Sequence, residues 1–186
     1  MSNKLLFVTT KKENSVALLK AKQRFIEKID GRVTSKEILV KIDKLLQDAK
    51  LEIKDLNEFV VDLGPGSYTG VKIGLTVISA LNFSRQIKTF STNSFEIMLG
   101  KIKSRKPVLL DAKLDEFYYY EPVTKEITIH NNIELSKFLE ADVIADHNIA
   151  NKINCVAVDY DALDLLQADC HEDLKLKPLI LTRKTY

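Results

Sequence analysis

Residues 64–70 read Gly64-Pro65-Gly66-Ser67-Tyr68-Thr69-Gly70, between an apolar run from Phe59 to Leu63 that predicts a strand and one from Val71 to Phe83 that predicts a helix. Glycine reaches backbone conformations with positive φ, and proline fixes φ near its turn value. The first amides of the following helix have no intrahelical partner. The seven residues are therefore a candidate anion loop, where free N–H groups and the positive end of a helix dipole converge. The competing reading is a tight strand-to-helix crossover that uses glycine only to turn. A Walker A loop is excluded, because Val71 separates Lys72 from the last loop glycine and Ile73 follows it. A dinucleotide fingerprint is excluded too: the spacing is Gly-x-Gly-x-x-x-Gly, and Lys88 to Thr92 carries no acid.

Outward from this loop the pattern is regular. Leu5 to Thr9, Ser15 to Leu19 and Arg24 to Ile29 predict three short strands. Thr34 and Glu37 have capping-box spacing, with Val33 and Ile38 placed as a hydrophobic staple. Ile38, Leu39, Ile42, Leu45, Leu46 and Ala49 then form one apolar helical stripe. The helix from Val71 is different: Val71, Ile73, Leu75, Val77, Ile78, Leu81 and Phe83 cover most of its circumference, and Gly70 and Gly74 lie one turn apart. A helix apolar nearly all round is buried on two sides.

The order β-β-β-α-β-α predicts a mixed sheet flanked by helices, and the pattern partly repeats after residue 100. Pro107 to Asp111 predicts a strand, Phe117 to Glu121 and Glu126 to His130 a hairpin, and Ile133 to Leu139 a short helix. Val143 to Ala145 and Cys155 to Val158 predict short strands, Tyr160 to Gln167 a helix, and Leu179 to Thr182 a closing strand. Two domains are expected, 1–105 and a thinner 106–186.

The composition is that of an ordinary globular chain: 186 residues, 45% apolar and 29% charged, with 28 basic against 26 acidic residues. A net charge of +2 argues against strong autonomous nucleic-acid binding but leaves room for a local basic patch. No leader and no membrane-length apolar run is seen, so a cytoplasmic protein without membrane contact is expected. Cys155 and Cys170 have no CxxC partner and are expected as free thiols, while His130, His147 and His171 have no metal-binding spacing. No metal, cofactor or catalytic residue is expected.

The run from Gly64 to Leu75 closely resembles the signature of the TsaB family, also called YeaZ, GPGS(F/Y)TG(V/L)RIG, with Lys72 as the conservative departure. Leu5 to Leu19 resembles the family's opening strand pair. Val108 to Lys113 with Glu116, Phe117 and Tyr118 resembles its DAR-x-G-E-(V)-Y segment, and Lys177 to Arg183 its closing P-x-Y-L-R. The resemblance implies an α/β ASKHA fold, the duplicated βββαβα lobe of actin, sugar kinases and Hsp70, with the second lobe reduced. It also implies a non-catalytic subunit in making threonylcarbamoyladenosine next to the anticodon of tRNAs that read codons beginning with A. Its partners would be TsaD, which transfers the threonylcarbamoyl group, and TsaE, with tRNA contacted mainly within the complex.

The family's contact helices align with Lys36 to Gln47 and Val71 to Leu81. The expected interface is therefore Ile38, Leu39, Ile42, Leu45, Gly70, Val71, Gly74, Val77, Ile78 and Leu81, and the free protein is expected to homodimerise through the same face. Where the family usually carries an acid at the end of its first strand, this chain has Thr9 and Thr10. That departure counts against the alternative, an ASKHA-fold kinase or ATPase using the loop for phosphate. Lys113 and Asp115 replace the Arg and Gly of the second segment. A peptidase reading lacks a zinc-type His pair and a nucleophile triad.

Overall fold

The computed structural model describes residues 2–83, 85–139, 141–173, 177 and 179. They divide into two compact units. One runs to Ser94 and is joined by the segment starting at Asp161; the other is Phe95–Tyr160.

The first unit is built on a sheet of β1 (Asn3–Val8), β2 (Asn14–Lys20), β3 (Gln23–Ile29), β4 (Glu58–Asp62), β5 (Lys88–Thr92) and β11 (His171–Glu172). The order across it is β11-β5-β4-β1-β2-β3. β1, β2 and β3 form an antiparallel meander, and β4 and β5 run parallel to β1. Two helices complete the unit, α1 (Ser35–Ala49) and α2 (Tyr68–Asn82). The cap of α1 is the expected one: Thr34 Oγ1 accepts from the Glu37 amide at 3.2 Å and donates to the Glu37 carboxylate at 2.8 Å. Val33 and Ile38 of the staple are both buried. The helix stripe sinks Ile38, Ile42, Leu45, Leu46 and Ala49 into a core with Leu5, Phe7, Val16, Leu18, Phe59 and Val61.

The second unit opens with α3 (Ser94–Ile102) and has a sheet of β6 (Val108–Lys113), β7 (Glu116–Glu121), β8 (Glu126–Asn131), β9 (Ile144–Ala145) and β10 (Val156–Ala157), in the order β10-β9-β6-β7-β8. A 3-10 segment, Asn132–Phe138, follows β8, and α4 (His147–Ile153) follows β9. Strand alternation sorts the tyrosines: Tyr118 and Tyr120 meet Phe95, whereas Tyr119 meets Phe138 and His130.

Several expectations change. β1 ends at Val8, and α2 begins at Tyr68 rather than Val71, because Ser67 caps it. The predicted helix Tyr160 to Gln167 is a 3-10 turn, Ala162–Gln167, capped by Asp161. It packs on β1 and β2 of the first unit, where the Ala162 amide donates to Ser15 Oγ at 2.9 Å. The division at 105/106 thus differs from the one seen: α3 goes with the second sheet and the segment from Asp161 returns to the first. Residues 180–182 of the expected closing strand lie outside the described residues; Leu179 donates its amide to Leu63 O at 2.9 Å.

Candidate functional site

The glycine loop, the turn after β1 and the first residue of α3 converge on one buried carboxylate. Asp62, the last residue of β4, is fully buried. Thr10 Oγ1 donates to its Oδ2 at 2.6 Å, the Gly64 amide donates to its Oδ1 at 2.9 Å, and Ser94 Oγ lies 3.1 Å from each oxygen. A buried acid costs several kcal/mol unless paired or hydrogen-bonded, and this node supplies those bonds. Sequence reasoning absorbed Asp62 into an apolar strand; the signal available was a lone acid two residues before a Gly-Pro-Gly turn.

The glycines admit backbone. Ser67 N donates to Thr10 O at 2.6 Å, so the turn after β1 lies against the loop. A β-carbon at Gly66 would sit 2.4 Å from Thr10 O, and one at Gly70 1.8 Å from Thr9 O. One turn further, a β-carbon at Gly74 would lie 2.6 Å from Thr9 Oγ1. Gly64 has φ +96°, open to glycine but strained for other residues. Three loop amides are engaged within the protein: Gly64 by Asp62, Ser67 by Thr10, and Gly70 by Ser67 Oγ at 3.1 Å. Pro65 O accepts from Ser94 Oγ at 3.0 Å. Tyr68 and Thr69, expected as loop, form the first turn of α2, where the Tyr68 ring lies 4.2 Å from Lys72 Nζ.

The interface residues expected from sequence fall into two groups. Ile38, Ile42, Leu45, Gly70, Val71, Gly74, Val77 and Ile78 are buried within the first unit, and Leu81 is half-buried. The exposed apolar residues of α1 are Leu39 (45% exposed) and its neighbour Val40 (58%). The outer face of α2 shows Tyr68, Lys72, Thr76, Ser79 and Ala80. The apolar girth of α2 is spent largely on its own core, because α2 packs on both β4 and α1. Gly74 faces Thr9, so its enlargement disturbs the first unit itself.

In the second unit Asp111 accepts from the Lys113 amide at 3.0 Å, Lys113 Nζ at 2.9 Å and Asn148 Nδ2 at 2.9 Å. Burial pushes its carboxyl up, but the Lys113 and Asn148 bonds outweigh this and hold it below the usual range. Asp111 N donates to Asp146 Oδ2 at 2.7 Å, and Asp146 Oδ1 caps α4 through the Ile149 amide at 2.9 Å. Among the described residues no group of three or more His, Cys, Asp or Glu side chains is placed to hold a metal ion, and no helix is long and apolar enough to cross a membrane.

Comparison with known proteins now adds to the geometry. The family model for TsaD, tRNA N6-adenosine threonylcarbamoyltransferase, matches residues 22–151 and sets the broad class. The TsaB protein of Buchnera aphidicola subsp. Acyrthosiphon pisum is 30% identical over 155 residues, 78% of this chain and 69% of that protein. TsaB of Bacillus subtilis is 29% identical over 107 residues, 53% of this chain and 47% of its own length. TsaB of Buchnera aphidicola subsp. Schizaphis graminum is 27% identical over 115 residues, 59% and 55% respectively. Against these last two, the chain spans about half the length of the curated relatives it matches. The structure of YeaZ from Pseudomonas aeruginosa superposes with a TM-score of 0.73 at 20% identity, covering 97% of this chain and all of that one. It shares the mixed α/β, ASKHA-like fold. Within the broad class, the chain belongs to the TsaB (YeaZ) family.

Proposed function

We propose that this chain is a non-catalytic subunit for threonylcarbamoyladenosine formation on tRNA, and that it works by binding a TsaD-type transferase. The observation that carries the reading is the end of β1. Phosphoryl chemistry in this fold needs a charged group there to place metal and water. Here Thr10 turns its hydroxyl onto Asp62, and Thr9 is fully buried against Gly70 and Gly74. The transferase chemistry therefore belongs to the partner. Family membership supports the tRNA role: the curated relatives named above are described as tRNA threonylcarbamoyladenosine biosynthesis proteins. TsaE joins the same assembly, and tRNA is contacted mainly there.

The partner surface is the solvent side of the α1–α2 pair. Leu39 and Val40 supply its apolar contacts, with Tyr68, Lys72 and Thr76 beside them on α2. The residues beneath, from Ile38 to Ile78, support this face instead of touching the partner. The same patch would pair two copies of the free chain. With only two large apolar side chains exposed on α1, that association is weak. Co-purification with the transferase of the same genome tests the reading. The wild type should capture it, and Leu39→Asp with Val40→Asp should bind at least about thirtyfold more weakly, the equivalent of about 2 kcal/mol. Capture equal to wild type by the folded double variant would sink this surface.

A further inference from the structure

One end of the first unit gathers exposed basic side chains. At the end away from the glycine loop lie the starts of β1, β3, β4 and β5, the end of β2 and the C-termini of α1 and α2. Exposed Lys22, Arg24, Lys50, Arg85 and Lys88 all fall there. Asp48, in the last turn of α1, is an exposed acid of this end, and three others are already engaged. Glu58 pairs with Lys4 at 2.7 Å, Glu52 with Lys54 at 2.8 Å, and Asp55 accepts from the Glu52 amide at 2.8 Å. Among the described residues Lys22, Arg24, Lys50 and Arg85 have no carboxylate within ion-pair distance, and Lys88 stands across from the occupied Glu58. Helix C-termini attract cations, but that need is met by Lys20, whose Nζ donates to Ala49 O at 2.8 Å.

The strand register lays these charges out in a row. From Arg24 on β3 to Lys88 on β5 the sheet takes four strand steps, about 19 Å at roughly 4.8 Å per step. A row of that length meets several consecutive phosphates of a nucleic-acid backbone. Phe83 follows α2 at the same end and is 94% exposed, two residues before Arg85. A flat ring among cations suits base stacking. Membrane docking calls for a broader apolar face than one ring provides.

We propose that this end of the first unit is an RNA-backbone contact, with Phe83 as a stacking platform beside it. The choice of RNA over other polyanions rests on the subunit reading above. The chain's net charge of only +2 makes the contact local and auxiliary, one that gains its strength when a partner holds the RNA nearby.

The test measures binding of a fluorescent unmodified tRNA transcript across a salt series, with capture of the transferase followed in parallel. Arg24→Glu with Lys88→Glu should weaken RNA binding at least about tenfold and lower the salt slope by about two. Lys12→Glu with Arg32→Glu makes the same charge change outside the patch and should stay within about twofold of wild type. Arg85→Glu alone, outside any strand, should show a smaller loss in the same direction. Equal losses from both double variants would overturn the proposal, as would no loss from either. Binding to phosphatidylserine vesicles that the patch variant loses, with RNA binding intact, would also overturn it. Wild type that fails to capture the transferase yet shows the localised RNA effect would refute the subunit reading and uphold this contact. Normal capture without an RNA effect refutes the contact alone.

Discussion

The two sheets of this protein follow one plan with unequal means. Read across, β5-β4-β1-β2-β3 of the first unit and β10-β9-β6-β7-β8 of the second have the same order, each an antiparallel meander extended by parallel strands. Asp62 and Asp146 correspond, each following the inner parallel strand's pairing with the first strand of its unit. Each also binds the chain of that first strand or the turn just past it, Asp146 through the Asp111 amide within β6 and Asp62 through the Thr10 hydroxyl two residues after β1. They differ in what comes next. Asp146 caps its helix directly, whereas Leu63 to Gly66 separate Asp62 from the capping Ser67. The glycine loop is thus an insertion between an acid and a helix that need no loop to meet. What it adds is close approach: a fifteen-residue helix seated on the backbone of Thr9 and Thr10, where the second unit has seven residues.

Breaking that seat should have the largest effect. Gly70→Ala forces a methyl to within 1.8 Å of a carbonyl oxygen and should cost about 3 kcal/mol or more in urea unfolding. Gly31→Ala is the sharpening control: with φ +78° and nothing within 4 Å, only backbone strain of about 1 kcal/mol applies. A Gly70→Ala protein as stable as the Gly31→Ala one would show that the seat yields. Removing the paired acids comes next. Asp62→Ala strands buried donors and should cost about 2 to 3 kcal/mol. Asp146→Ala loses a half-exposed cap and should cost about 1 kcal/mol. Equal losses at the two positions would contradict the asymmetry described above.

The smallest effect concerns the helix that the second unit lacks. Glu27 on β3 is held below the usual carboxylate range by hydrogen bonds from Lys44 and then Lys41 of α1, with burial opposing. A depressed carboxylate contributes stability above its unfolded-state value and loses it as pH falls through the folded one. The contribution is therefore whole at neutral pH and fades in acid, up to about 1 kcal/mol for a pair at the surface. Glu27→Gln should lower the urea midpoint by more at pH 7 than at pH 3, because the wild-type support fades as the carboxylate takes up a proton. A mutant that is equally destabilised at both values would assign the effect to packing.

The first unit was the more legible because its signals are local. Thr34, Glu37, Val33 and Ile38 announce α1 within six residues, and long alternating or periodic runs mark β1 to β4. β5 was overlooked: Lys88-Thr89-Phe90-Ser91-Thr92 is mostly polar, and its burial comes from neighbours distant in the chain. α3 and α4 were missed too; α4 has only His147 to Ile153 in which to show a period. The site divided the same way. Its glycines were conspicuous, but their object was not, since the contacts of Gly66, Gly70 and Gly74 lie some sixty residues away at Thr9 and Thr10. Periodicity marked the faces of α1 and α2 as apolar without saying that their own sheet covers most of them. Leu39 was counted with the stripe although it falls on its outer flank.

The return of the chain to the first unit has a consequence for how the molecule is made. The 3-10 turn at Ala162–Gln167 and strand β11 belong to a sheet whose other strands are finished by residue 92. Ribosomes deliver the N-terminal part first, and domains tend to fold as they emerge. Here the first unit must wait, with the polar edge of β5 unpaired and Ser15 Oγ without its Ala162 donor, while all of Phe95–Tyr160 is synthesised. The described part of the second unit, Phe95–Tyr160, is contiguous in the chain and can close before the first is complete. The segment that begins at Asp161 is then what seals the earlier sheet.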